Sequence, residues 1–103
     1  MLTAEIIQTL NRRNVSVDGE LTKQRTKEVL KGAKRAAKND IDALAGLQRV
    51  SINRVYTTGN ISAKIAIAIA QTLNIDPFYL TGEADEQGEC TEDLLRSCVH
   101  RLK

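Results

Sequence analysis

The chain has 103 residues, the size of one ordinary domain, and its 27% charged and 42% hydrophobic residues exclude a disordered or fibrous polymer. No apolar run approaches the ~20 residues needed to span a bilayer, and the start MLTAEII, with Glu5 and no basic residue, does not read as a secretory signal. The net charge of +2 hides an uneven spread: residues 23–64 hold ten Lys/Arg against three acids, net +7, whereas residues 65–93 hold seven acids and no base, net −7. A basic block of that density suits a polyanion partner or a solvated helix surface, and charge alone leaves both open. Aromatic residues are scarce, so the core must be Leu, Ile, Val and Ala, which suits packed helices. Cys90 and Cys98 stand eight apart without a CxxC or a His cluster, which predicts reduced thiols and a cytoplasmic protein.

Leu2, Ile6, Ile7 and Leu10 recur at helical spacing and predict a short amphipathic helix. In the following NVSVDG, Asp18-Gly19 is a turn signal, and Val15 and Val17 alternate as a short extended piece would. Thr22 is expected to cap a helix running to about Lys38, with Val29, Leu30, Ala33 and Ala37 on one face. Asn39 is expected to break it and cap a second helix, which carries Ile41, Leu44 and Ala45 to a turn at Gly46. A third helix runs from about Arg49 to Thr57 and stops at Gly59. Ser62 caps AKIAIAIAQTLN. Ile65, Ile67 and Ile69 alternate there as in a strand, but the intervening alanines, the length and the cap favour a helix surrounded by protein. Asp76 and Pro77 open a short last turn, DPFYL, and Gly82 closes the domain. Residues 83–90 are read as an acidic linker, either a plain solvated spacer or a competitor for basic groups. Thr91 caps a terminal helix whose Leu94, Leu95, Cys98, Val99 and Leu102 form a narrow apolar seam. The expected architecture is therefore all-α: residues 1–20 an N-terminal helix and turn, 21–82 the main domain, 83–90 the linker and 91–103 a C-terminal helix.

The chemistry concentrates in AGLQRVSINRV, residues 45–55. Two short helices meeting at a glycine turn, the second with polar residues at spaced positions, make a helix-turn-helix. Gly46 permits the turn, Leu47 plugs the gap between the helices, and Ile52 and Val55 pin the second helix to the core. Arg49, Ser51, Asn53 and Arg54 are left on other faces. Arg can take both acceptors of guanine, and Asn or Gln can pair with adenine, each pair discriminating by roughly 1–3 kcal/mol. Lys23, Lys27, Lys31, Lys34 and Lys38 follow 4, 4, 3 and 4 spacing, one stripe on a continuous helix. Without i,i+4 Glu partners for most of them, such a stripe favours DNA phosphates over a mere solubility face.

AGLQRVSINRVYTTGNIS followed by AIAIAQTLNIDPFYLTGE resembles the lambda-repressor/Cro-like (Xre-type) helix-turn-helix regulators, over roughly residues 22–83. One departure is Asp42, where that family usually places Ala. The resemblance implies a compact five-helix DNA-binding domain and a dimeric transcriptional regulator. On that likeness Gln48 begins the recognition helix, and Arg49, Val50, Asn53 and Arg54 join it in facing the groove. Ser51, Thr57 and Thr58 fall to the DNA backbone beside the lysines. The terminal seam either folds back on its own domain or pairs with a second copy; pairing is expected, because palindromic sites call for two reading heads. The partner is thus double-stranded DNA at an inverted repeat, bound by a homodimer. The alternative is a protein-interaction module that kept the scaffold and binds another regulator. No enzyme chemistry, metal set, cofactor motif, small-molecule site or membrane segment is legible. His100, alone, reads as a surface residue, and Tyr56 and Tyr79 read as packing groups.

Overall fold

The computed structural model describes residues 2–46 and 49–101, with the backbone alone at 49–51. The expectations for Leu47, Gln48 and Leu102 lie outside those residues. Seven helices form among them, α1 Ala4–Gln8, α2 Gly19–Lys31, α3 Arg35–Ala45, α4 Arg49–Thr58, α5 Ala63–Leu73, α6 Pro77–Thr81 and α7 Glu92–Arg101. No strand occurs among the described residues, and no helix there is long and apolar enough to cross a membrane.

Most helices begin where a short polar side chain can take an orphan backbone N–H. Thr3 accepts from the Ile6 amide, Asp18 from Leu21, Ser62 from Ile65, Asp76 from Phe78 and Thr91 from Leu94. Four ends use the left-handed backbone: Gly46 (φ 61°), Gly59 (φ 75°), Asn74 (φ 57°) and Gly82 (φ 93°). At such angles a Cβ costs energy, which suits glycine and tolerates asparagine.

α5 is the hub. Ala63 and every residue from Ile65 to Ala70 are buried, and α1, α3, α6 and α7 all pack against it. The isoleucines point several ways, and the alanines between them let neighbouring backbones come close. The alternating pattern is thus a helix buried all round, as the sequence analysis expected. α2 packs on α4 and α6. Arg25 holds the last of these contacts: its guanidinium lies 4.1 Å from the Tyr79 ring centroid and donates to the carbonyls of Tyr79 (2.9 Å) and Ala84 (2.6 Å). Tyr79 is buried, and Tyr56 packs half-buried against the core, as expected of both.

The expected helix from Thr22 to Lys38 is instead two helices. α2 starts four residues earlier on Asp18, ends at Lys31 and is capped by Gly32. Thr22 does not cap. It is fully buried, and its hydroxyl bonds the Leu80 carbonyl (2.8 Å) and the Ser16 hydroxyl (2.6 Å). The chain leaves the helix because glycine is the weakest helix former at hand, and Lys34 turns extended with ψ 158°. Asn39 accordingly sits inside α3, exposed, and caps nothing; the capping position falls to Lys34, whose side chain makes no cap bond.

Residues 1–20 share the main core. Ile7 is fully buried and Leu10 nearly so. Gln71 exchanges two hydrogen bonds with Leu2, accepting from its N–H (2.9 Å) and donating to its C=O (2.8 Å). Gln8 Nε2 reaches the carbonyls of Ala43 (3.3 Å) and Leu44 (3.4 Å), near the end of α3. The acidic segment is no free spacer. Gln87 C=O accepts from the Asp76 amide (2.6 Å), Cys90 N–H donates to Asn74 Oδ1 (3.2 Å), and Glu83 pairs with Arg101 (2.9 Å) rather than with a lysine.

α7 folds back on its own domain. Leu95 (2% exposed) and Cys98 (0%) are buried against α5 and α6, with Leu94 and Val99 packed half-buried at their sides. The inner residues of the seam, read from sequence as a dimer contact, are therefore consumed within one chain. Burying Leu95 and Cys98 holds α7 there, and Arg101 adds to it by its exposed pair with Glu83 and by lying 5.0 Å from the Phe78 ring centroid. His100 is exposed, as expected.

Burial pushes the Cys98 thiol up to about 12, with the carboxylates of Asp76 and Glu83 adding and Arg101 opposing. The sign follows from the higher folded value. The neutral thiol's contribution is intact below the free value of 9.0 and is lost as the pH climbs from there towards about 12. The urea midpoint should fall over that alkaline range, and more steeply for the native chain than for Cys98→Ala. At about pH 8 a thiol-reactive disulfide should leave Cys98 unmodified until denaturant is added.

Candidate nucleic-acid interface

α4 is a ten-residue helix with two distinct sides. Val55 is fully buried, and Ile52 and Tyr56 are half-buried against the core. Asn53, Arg54, Thr57 and Thr58 are exposed. At ~100° per residue these four span ~140° of arc, on the side away from the Ile52, Val55 and Tyr56 face taken together. Val55 and Ile52 thus do the pinning expected of them.

The ends of α4 are placed by contacts a sequence does not announce. Before it, α3 terminates in the left-handed Gly46, whose amide bonds the Asp42 carbonyl. A Cβ on Gly46 would stand 3.1 Å from the Gln8 side chain, so α1 lines the inside of the turn. After it, Gly59 (φ 75°) lies directly on Gly19, the first residue of α2. A Cβ on Gly59 would fall 2.2 Å from the Gly19 carbonyl oxygen. Backbone meets backbone there, which fixes the angle at which α4 stands out from the domain.

The threonines at the end of α4 are occupied. Thr57 Oγ1 donates to the Asn53 carbonyl (3.1 Å), and Thr58 Oγ1 donates to that of Arg54 (2.6 Å). Each keeps lone pairs but directs its hydroxyl proton at the helix, so a phosphate oxygen would have to recruit it away. Arg54 has no ion pair among the described residues. The side chains of Arg49, Val50 and Ser51 are not described, and only their helical backbone can be placed.

The lysine stripe does not survive as one line. Lys23, Lys27 and Lys31 lie on α2, Lys34 stands at the cap of α3 and Lys38 within α3. Lys23 is also half-buried and bonded to Glu20 at 3.0 Å. Lys27, Lys31, Lys34 and Lys38 remain exposed, on two helices that diverge at Gly32. The residue missed by sequence reasoning is Gly19. Nothing marked it as the partner of Gly59, forty positions on, although both glycines were visible as breakers.

Elsewhere, a cleft lined by Leu2, Glu92, Leu95 and Arg96 opens between the N-terminal residues and α7. Among the described residues no group of three His, Cys, Asp or Glu side chains is placed to hold a metal ion. No family model, no curated protein and no solved structure matches the chain.

Proposed function

We propose that the chain is a sequence-specific binder of double-stranded DNA, a transcriptional regulator on a lambda-repressor/Cro-like scaffold formed by α2 to α6. The observation that carries this reading is the open face of α4. A short helix stands after a left-handed glycine turn, pinned by Val55, and offers Asn53 and Arg54 to the outside. A helix of ~10–12 Å diameter fits the ~12 Å major groove, and Asn and Arg carry the donors that adenine and guanine accept. The basic block supplies phosphate contacts through Lys27, Lys31, Lys34 and Lys38, which are exposed. The reading includes a homodimer on an inverted repeat, by a face other than the buried seam of α7.

The test is selection of bound duplexes from a random pool at two salt concentrations. An enriched inverted repeat, retained at the higher salt, is the expected result. A pool that stays random, with scrambled duplex competing equally well, would end the sequence-specific reading.

A further inference from the structure

We infer that Arg12 and Arg13, with Lys64, form a second anion-binding flank that grips the sugar–phosphate backbone beside the bases read by α4. This rests on the DNA-binding reading above and adds to it residues that lie outside the helix-turn-helix.

The placement comes from backbone pairing. Asn14 and Ser62 form an isolated antiparallel bridge, and the Val15 amide donates to the Ile61 carbonyl (2.8 Å). Asn14 Oδ1 accepts from the Ile61 amide (3.0 Å) and from the Ser16 amide (3.0 Å), which ties both chains at that point. Five residues beyond Asn14, Gly19 lies against Gly59. Residues 14–19 therefore run alongside the loop that joins α4 to α5, fixed to it at both ends. Arg12 and Arg13 immediately precede the bridged Asn14, and Lys64 stands two residues past its partner Ser62, in the first turn of α5. The Asn11 side chain accepts from the Arg13 amide (2.9 Å), which shapes the chain just before the bridge.

The charges there are not consumed within the fold. Arg12 and Arg13 are exposed and Lys64 is half-exposed, and none of them has an ion pair among the described residues. Of the acids that follow them, Asp18 caps α2 and Glu20 holds Lys23, and the exposed Glu5 on α1 makes no ion pair with either arginine. Two adjacent guanidinium groups are good bidentate ligands for phosphate oxygens. A helix filling a major groove has phosphates on both sides, so the loop leaving that helix is where a backbone strand passes. Phosphodiester is the ligand that both the charge and the location suit.

The experiment uses the full chain and the duplex obtained by selection. Arg12→Ala/Arg13→Ala should lower the slope of log affinity against log salt by ~2, at ~0.9 per phosphate contact. Affinity should fall on the order of tenfold at ~0.1 M salt, equally for the selected and a scrambled duplex. Arg12→Lys/Arg13→Lys should keep most of the slope. Arg96→Ala, which removes an exposed charge from α7, should leave it unchanged. Thermal melting should match the native chain, since the two arginine side chains make no bond within the fold. An unchanged slope in the double alanine variant, with the native chain binding well, would overturn this inference alone. So would a loss of discrimination between the two duplexes instead of a uniform loss. Failure of the native chain to bind any duplex would remove both this inference and the reading beneath it.

Discussion

Gly59→Ala is expected to unfold the protein or leave it barely folded, whereas Gly32→Ala is expected to stabilise it. Two costs add at Gly59. Its φ of 75° is a backbone conformation that side chains resist, at about 1–3 kcal/mol. The new Cβ would also stand 2.2 Å from the Gly19 oxygen and 2.6 Å from its carbonyl carbon. Both are backbone atoms at the start of α2, so the clash is relieved only by moving α2 away from α4. Small domains have about 5–15 kcal/mol of net stability, and a helix–helix separation takes a large part of it. Gly32 presents the opposite case. Its φ is −86°, and a Cβ there would meet nothing within 4 Å. Alanine restricts the unfolded chain without straining the folded one, worth about 0.4–1 kcal/mol. Urea unfolding of the two variants measures the contrast; equal midpoints would show that the Gly19–Gly59 contact does not fix the packing of α2 on α4.

Asn53→Ala with Arg54→Ala is expected to abolish sequence preference while leaving the fold intact. Each side chain is exposed, and neither makes a hydrogen bond within the described fold, so melting should move little. Each bidentate base contact discriminates by about 1–3 kcal/mol, so the pair should cost about a hundredfold or more in affinity for the selected duplex. Scrambled duplex should be bound almost as well as before. The single variants separate the roles further: Asn53→Ala should not change the salt slope, because a neutral amide displaces no counterion. Retention of full preference by the double variant, measured by competition between the two duplexes, would move base reading off α4.

Some of this was legible in the sequence for physical reasons. The turn at Gly46, the stop at Gly59, the cap at Ser62 and the proline start of α6 are local effects, set by residues within a few positions of one another. The buried helix α5 was legible because alanine and length outweigh an alternating pattern. The break between α2 and α3 at Gly32 is masked in the sequence by the apolar spacing that continues through Ala33 and Ala37. That spacing is real, but Ala33 follows the end of α2 and Ala37 belongs to α3. The lysine stripe failed with it, since a stripe needs one continuous helix. The fate of α7 was not legible, because an apolar seam looks the same whether its own domain or a second copy covers it. Long-range details escaped altogether: Gln8 on the end of α3, Arg25 under Tyr79 and Gly19 beneath Gly59 are decided by tertiary approach. Of the candidate base contacts expected from the sequence, Gln48 and the side chains of Arg49 and Val50 lie outside what is described, and the structure leaves Asn53 and Arg54 exposed.

The central position of α5 bears on how the chain is made. Four of the other helices rest on it, and two of those, α1 and α3, are synthesised before it. A nascent chain stopped near residue 60 would hold those early helices with no common surface to cover. Short helices of this kind are marginal in water on their own. Emergence from the ribosome should therefore yield little protease-resistant material until the stretch through Leu73 is free, and then bring protection of Ile7 and Ile41 in a single step.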